Sequence, residues 1–486
     1  MIKKVKEVLF TKNTLGSVFW FSLLGFLRPA IKIFLLPLYL IYLAPEDYGI
    51  LALVTIFSSI VVILSNLRLD GAVRVFYFDF ESDSKALWNY ISQIYTTILL
   101  MGIILISVML FVGPSLMRLS FSSDEVSFYP YGIISLSTAI LTSLTSVYYI
   151  YLKNEVRLRE YFTYSISFIL LTIGFQFYLI VFKEMGVLGV LYGSLISTAI
   201  LCTIIVIRNS RLLNFKLRFK DIAPSLKFAL PLVPFSLLVK FENQLDRLVL
   251  ERFMSLDTVG LYALLVALVG LVIIFMTALE NGVRPFLYRS LKSGGEESEK
   301  VITLYFNLFV LLGLLTLSGI IMVGSNLDLI TENIKYLSIR QFFVLAGLAA
   351  IPMVILRYLA MVLIYYKKTK DVTITTIIKT ILMVILMVYM VPKYGINGAI
   401  IAVSISYLLN SVIFYWLINK YGAPTIHMTK AFTAIIMVVV GVLCCKYFIP
   451  NMAVMGVVQF AIIAVALTPF IIPVIKEVAN QKLVNA

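Results

Sequence analysis

Six basic side chains fall inside stretches dominated by apolar residues: Arg28, Lys32, Lys240, Arg247, Arg357 and Lys379. Arg28 and Lys32 are four residues apart, so a helix would set both on one face. Lys240 and Arg247 are seven apart and would also share a face, with Asn243 and Gln244 beside it and Glu242 and Asp246 on another. Guanidinium and ammonium groups in such places make charge-assisted hydrogen bonds to oxyanions, and a phosphate or diphosphate is their natural complement. Each such charge costs about 2.5–3.5 kcal/mol at the centre of a bilayer. Six facing lipid would cost on the order of 15–20 kcal/mol, more than the net stability of a typical domain. Most must face protein or water. Two readings stay open for them. One is snorkelling or internal ion pairing, since Arg247 and Lys379 sit nearer helix ends and Glu242 or Asp246 could neutralise a partner. The other is a cationic cavity for an anionic substrate, favoured for the deepest three, Arg28, Lys32 and Lys240. Bases outnumber acids in these stretches, so internal pairing cannot satisfy them all.

The elements that hold these residues follow from composition. The chain has 486 residues, 61% hydrophobic and 13% charged, and a mean hydropathy of +1.00. Soluble domains carry about 25% charge, which excludes a soluble enzyme. The apolar residues form fourteen runs long enough to cross a membrane: roughly 15–43, 48–67, 88–112, 128–152, 161–182, 186–207, 228–250, 257–281, 301–323, 338–365, 371–391, 395–418, 428–449 and 452–475. The runs lack the polar outer faces that buried helices of a soluble protein would show. Lysines 3, 4, 6 and 12 precede an apolar stretch far longer than a signal peptide's core and without a small-residue cleavage site, so the first helix is expected to remain. Pro29 and Pro37 interrupt helix 1, and Pro231 and Pro234 the start of helix 7. They imply either fixed kinks or helices that bend in use.

Charge sorts by side. With the N-terminus in the cytoplasm, alternating loops place 27 of the 40 Lys and Arg residues on the cytoplasmic side and 7 outside, the remaining six being those above. The positive-inside rule then predicts both termini cytoplasmic and an even helix count. The net charge of +15 is spread over eight cytoplasmic segments with no soluble module, so nucleic acid is not expected as a partner, and an anionic leaflet accounts for it. No phosphate-binding glycine loop ending in Lys-Ser/Thr is present, and no catalytic residue, cofactor or metal site is expected. Cys202, Cys444 and Cys445 form neither a disulfide framework nor a zinc pattern, and His427 lies in a polar loop.

Three stretches recur. Ala44-Pro45-Glu46-Asp47-Tyr48-Gly49 is echoed by Ser255-Leu256-Asp257-Thr258-Val259-Gly260, 211 residues later. Gly186 and Gly189 are echoed by Gly395 and Gly398 at an offset of 209, and Tyr151-Leu152-Lys153 by Tyr365-Tyr366-Lys367 at 214. Repeats in order at nearly one offset point to duplication. Six helices per copy make it a parallel repeat about an axis along the membrane normal. The expected fold is therefore an all-α polytopic membrane protein of about fourteen transmembrane helices: a lobe over 1–213, a pseudo-symmetric lobe over 214–420, a central cavity as the default substrate path, and two appended helices over 421–486.

Pro37-Leu38-Tyr39-Leu40 followed by Pro45-Glu46-Asp47-Tyr48-Gly49-Ile50 resembles the helix 1–2 signature of the polysaccharide-biosynthesis flippases, the O-antigen type included. These belong to the multidrug/oligosaccharidyl-lipid/polysaccharide exporter superfamily. Asp246-Arg247, Val259-Gly260-Leu261-Tyr262-Ala263, Lys367-Lys368-Thr369 and Tyr394-Gly395-Ile396-Asn397-Gly398-Ala399 resemble its later signatures. The resemblance covers most of the chain, least in helices 13 and 14. It implies alternating access and a substrate of oligosaccharide linked through diphosphate to undecaprenol, moved from the cytoplasmic to the outer leaflet of a bacterial inner membrane. It also implies coupling to a proton or other ion gradient, for which Glu242 and Asp246 are the candidates as the acids well inside a span. A polysaccharide polymerase and chain-length proteins are the partners it suggests. Three other readings compete. A lipid II flippase of the same superfamily is hard to separate from the sequence. A cation-coupled drug exporter would carry acidic cavity residues, the reverse of this pattern. A membrane-embedded glycosyltransferase would need catalytic carboxylates or a large outer loop.

Overall fold

In the computed structural model, residue 31 and residues 34–468 are described, apart from 211, 212, 215–217, 294, 423, 450–453, 466 and 467. Every regular element among them is helical. A helix over 34–42, α1, is followed by α2 (Pro45–Asn66), α3 (Leu69–Phe80), α4 (Ser84–Ser120), α5 (Ile133–Asn154), α6 (Leu158–Phe177) and α7 (Gly186–Arg208). Next come α8 (Phe219–Ala229), α9 (Leu232–Glu242), α10 (Leu245–Phe253), α11 (Leu256–Ser293) and α12 (Gly295–Ser325). The chain continues through α13 (Arg340–Ala349), α14 (Ile351–Tyr365), α15 (Thr369–Lys420) and α16 (Thr429–Phe448) to α17, over 454–465.

Nine helices among the described residues are long and apolar enough to cross a membrane, ten with the bent α8–α9 pair counted as one span. The α15 element is two legs joined at Gly395, whose φ of 55° and ψ of −130° suit only a residue without Cβ. With those legs counted separately, and with the shorter α1, α16 and α17, each of the fourteen expected runs overlaps described helix, the first and last only in part because most of 15–33 and all of 469–475 lie outside the described residues. Large apolar side chains point outward along these helices, Phe111, Ile385 and Trp416 among them. Contiguous apolar exterior of this kind is suited to lipid. The protein is a multi-pass membrane protein.

Local chemistry sets the helix starts. Pro45 opens α2, where its missing N–H is not needed, and Asp47 accepts from the Ala44 N–H at 2.9 Å. Asp83 caps α4 by accepting from the N–H groups of Lys85 and Ala86.

Contacts divide the chain into two compact units, Met1–Arg252 and Phe253–Ala486. The core of the first is aromatic, with Trp88 and Tyr148 each in ring contact with Tyr151. The second packs Phe306 and Phe309 on Tyr358, whose hydroxyl donates to the Ile302 carbonyl at 2.6 Å.

The duplication is visible in the helix starts. Those of α2 and α11, α4 and α12, and α6 and α15 are each 211 residues apart. Even the turns match: Val156 (φ 57°) and Lys367 (φ 58°) are the left-handed residues before α6 and α15. In each turn the next N–H closes on a carbonyl five residues back, Arg157 to Leu152 and Lys368 to Leu363. The Tyr151/Tyr365 echo at 214 is therefore three residues out of register; the turns align at 211. The glycine echo holds. Gly186 and Gly395 both take positive φ, and a Cβ at Gly189 or Gly398 would meet backbone of the preceding helix.

Helix 7 departs from expectation. In place of one span over 228–250 there are three pieces, with the α8–α9 pair bent by 45° at Leu230–Pro231 and a further break at Asn243–Gln244. Pro231 accounts for the first break, because its ring cannot continue the backbone ladder.

Candidate functional site

Arg28 and Lys32 lie outside the described residues. Lys240 is exposed on the last turn of α9, and Arg247 is half-buried on α10. The break at Asn243–Gln244 lies between them, so the single face expected for this pair, which needs an unbroken helix, does not form. The buried Gln244 side chain donates to Ser59 Oγ at 3.0 Å, and Asn243 donates to the Val239 carbonyl at 2.8 Å. Asp246 accepts from the Arg247 N–H at 2.9 Å. Glu242 and Asp246 are half-buried. The Arg247 guanidinium lies within electrostatic range of the Tyr48 hydroxyl, and its Nε is enclosed without a hydrogen-bond partner. Nearby in sequence to Tyr48, Tyr39 donates to Gln176 Oε1 at 2.6 Å, and Gln176 donates onward to Ser194 Oγ and the Val190 carbonyl. The neutral Gln176 gave no sequence signal.

The second unit holds Arg357 and Lys379. Arg357, on α14, donates to Glu280 Oε2 and to Thr277 Oγ1 of α11, both at 2.8 Å. Glu280 Oε1 also pairs with Arg284, one turn further along α11. Glu280 is thus a further acid within an expected span, beyond the candidates Glu242 and Asp246, and α11 continues to Ser293 instead of ending near 281. The i, i+4 spacing of Glu280 and Arg284 was the available signal. In this structure Arg357 is ion-paired. Lys379 is buried, its ammonium 4.3 Å from the centroid of the Tyr407 ring, a geometry in which the ring face stabilises a desolvated cation.

The first unit has a comparable cluster. Asp70 on α3 stands 3.6 Å from Arg68 and 3.9 Å from Arg74. Both clusters set two guanidiniums on one carboxylate. Such an arrangement can bind an oxyanion, since each guanidinium has more donors than one carboxylate can use. Among the described residues no group of three His, Cys, Asp or Glu side chains is placed to hold a metal ion.

Residues 42–334 match the model of a family described as polysaccharide biosynthesis protein. The chain belongs to this family. Its fold is that of the multidrug/oligosaccharidyl-lipid/polysaccharide transporters. It is similar to the lipid II flippase MurJ in an inward closed conformation, at 14% identity over 94% of this chain and 98% of that one, with a TM-score of 0.68. It is also similar to an inward-facing multidrug-resistance transporter, at 14% identity over 81% and 94% with a TM-score of 0.67. A third similar structure, from Pyrococcus furiosus, is a superfamily transporter with a reversed polarity of its binding pocket (15% identity, 83% and 95% covered, TM-score 0.54). No curated protein matches the chain in sequence. The structural relatives named here are a flippase and transporters.

Proposed function

We propose that this protein is a flippase that moves undecaprenyl-diphosphate-linked oligosaccharide repeat units, for O-antigen, capsule or exopolysaccharide, from the cytoplasmic to the outer leaflet by alternating access. The membership of a polysaccharide-biosynthesis family carries this reading. The charge pattern supports it: six basic residues lie in the expected spans, and the diphosphate is the part of such a substrate that they would recognise. Arg28, Lys32, Lys240, Arg247, Arg357 and Lys379 are the proposed anion-recognising residues. Glu242 and Asp246 are the proposed sites of coupling to a proton or other ion gradient. The proposed location is the bacterial inner membrane with both termini cytoplasmic, as the loop charges favour. Membrane lipids surround it, and a polysaccharide polymerase and chain-length proteins are the proposed protein partners.

A lipid II flippase is the second reading, favoured by the fold shared with MurJ along nearly the whole chain. Deletion of the gene and analysis of lipid-linked sugars separates the two. Accumulation of diphosphate-linked oligosaccharide on the cytoplasmic leaflet with intact peptidoglycan supports the first. Accumulation of lipid II supports the second.

A further inference from the structure

Each half of the chain carries a carboxylate followed four residues later by an arginine: Asp70 with Arg74, and Glu280 with Arg284. The two pairs are 210 residues apart, one residue from the 211-residue offset of the helix starts. In each half a second guanidinium closes on the same carboxylate, Arg68 on Asp70 and Arg357 on Glu280. Both halves therefore hold a single acid between two arginines, the second arginine standing two residues before the acid in the first half and on another helix in the second, and each cluster has one more positive charge than negative.

The donors are left incomplete. The Nε–H groups of Arg284, Arg357 and Arg68 are enclosed with no hydrogen-bond partner, and so is Asp70 Oδ1. Glu280 meets a terminal guanidinium nitrogen of one arginine with each of its oxygens, and neither contact engages the two Nε–H groups. An enclosed donor without an acceptor costs the desolvation of that group. A phosphate or diphosphate carries more oxygens and more charge than a carboxylate, so it can answer the surplus charge and the orphan donors together. Access exists, because the Arg284 side chain is 41% exposed beside a Glu280 that is 14% exposed. Thr277 holds Arg357 in place independently of the carboxylate.

We propose that Glu280 and its counterpart Asp70 are resident counter-anions that give way to the phosphate or diphosphate of an anionic lipid headgroup, so that each half contains an anion-exchange clamp. The substrate assignment rests on the flippase reading; the exchange itself does not.

The test is calorimetric titration of the full-length protein with inorganic pyrophosphate in nanodiscs of neutral phosphatidylcholine. Glu280→Gln removes the competing charge and should bind pyrophosphate at least about tenfold more tightly than the unaltered protein, and adding Arg357→Gln should abolish the gain. If Glu280→Gln fails to fold, Asp70→Asn provides the same comparison in the first half. Equal affinity with and without the carboxylate, or binding by neither protein, overturns the exchange. Repeating the titration with phosphatidylglycerol in the nanodisc identifies the source of the anion. Loss of pyrophosphate binding there assigns the clamps to bulk headgroups and overturns the substrate role, whereas retained binding supports it. The flippase reading stands or falls separately, on the lipid-linked sugars that accumulate without the protein.

Discussion

The Arg357 guanidinium donates to the Glu280 carboxylate at 2.8 Å, joining α14 to α11 inside the second unit. Both side chains are mostly shielded, so the contact carries more weight than a surface ion pair. Arg284 shares the same carboxylate, so loss of Arg357 does not strand it. Arg357→Gln should therefore lower stability by only about 1–2 kcal/mol while reducing surface polysaccharide severalfold. Thermal unfolding in detergent and surface-glycan blots check the two effects. Full polysaccharide at normal protein level would remove Arg357 from the anion-recognising set.

Lys379 is a buried cation whose ammonium rests on the face of the Tyr407 ring. Tyr407→Leu should cost about 1 kcal/mol, the scale of a cation–π contact in a partly desolvated place. Lys379→Met keeps the volume and removes the charge; it should fold normally and export poorly. Normal export would make this lysine structural.

The crossing of the two α15 legs depends on Gly398. A Cβ there would stand 2.4 Å from the Met390 carbonyl oxygen, and backbone cannot swing aside as a flexible side chain can. Gly398→Ala should destabilise the second unit by about 1–3 kcal/mol, the range for overpacking. Gly174→Ala, with nothing within 4 Å of the new Cβ, is the control and should be neutral in the same unfolding assay.

Asp328 lies outside the spans, paired with Arg340, which holds its carboxyl below the ordinary value. A depressed folded value means the carboxylate stabilises the fold above the unfolded value, 3.8, and that this contribution is lost as pH falls through the folded value. Asp328→Asn should lower stability slightly at neutral pH, since it removes this contribution from a half-exposed carboxylate, and flatten the loss on acidification below about pH 4. Unfolding temperatures of both proteins between pH 3 and 7 check this.

The sequence pattern shows most of the fold, and the reasons are specific. Twenty-residue apolar runs have few alternatives to spanning helices, and the glycine echo marks turns whose backbone needs positive φ. The break at Asn243–Gln244 had no such mark, because neither glycine nor proline stands there and Leu245–Phe253 reads as continuing helix. Glu280 escaped notice because it falls at the last turn of an expected span, next to an arginine that looked like loop. What made it a candidate was Arg357, 77 residues away, a partnership that only tertiary packing creates. The three-residue slip in the Tyr151 echo arose because side chains in a helical end vary freely, whereas the left-handed turns at Val156 and Lys367 fix the register.

The most direct measurement is translocation itself. Purified protein in liposomes is given a tritiated undecaprenyl-diphosphate oligosaccharide placed in one leaflet, and the sugar on the other side is read with a membrane-impermeant glycosidase. The account predicts that the unaltered protein exposes the sugar well above protein-free liposomes, and that Arg28→Ala with Lys32→Ala reduces exposure to background while leaving the protein folded. Exposure by the unaltered protein no greater than in protein-free liposomes would contradict it.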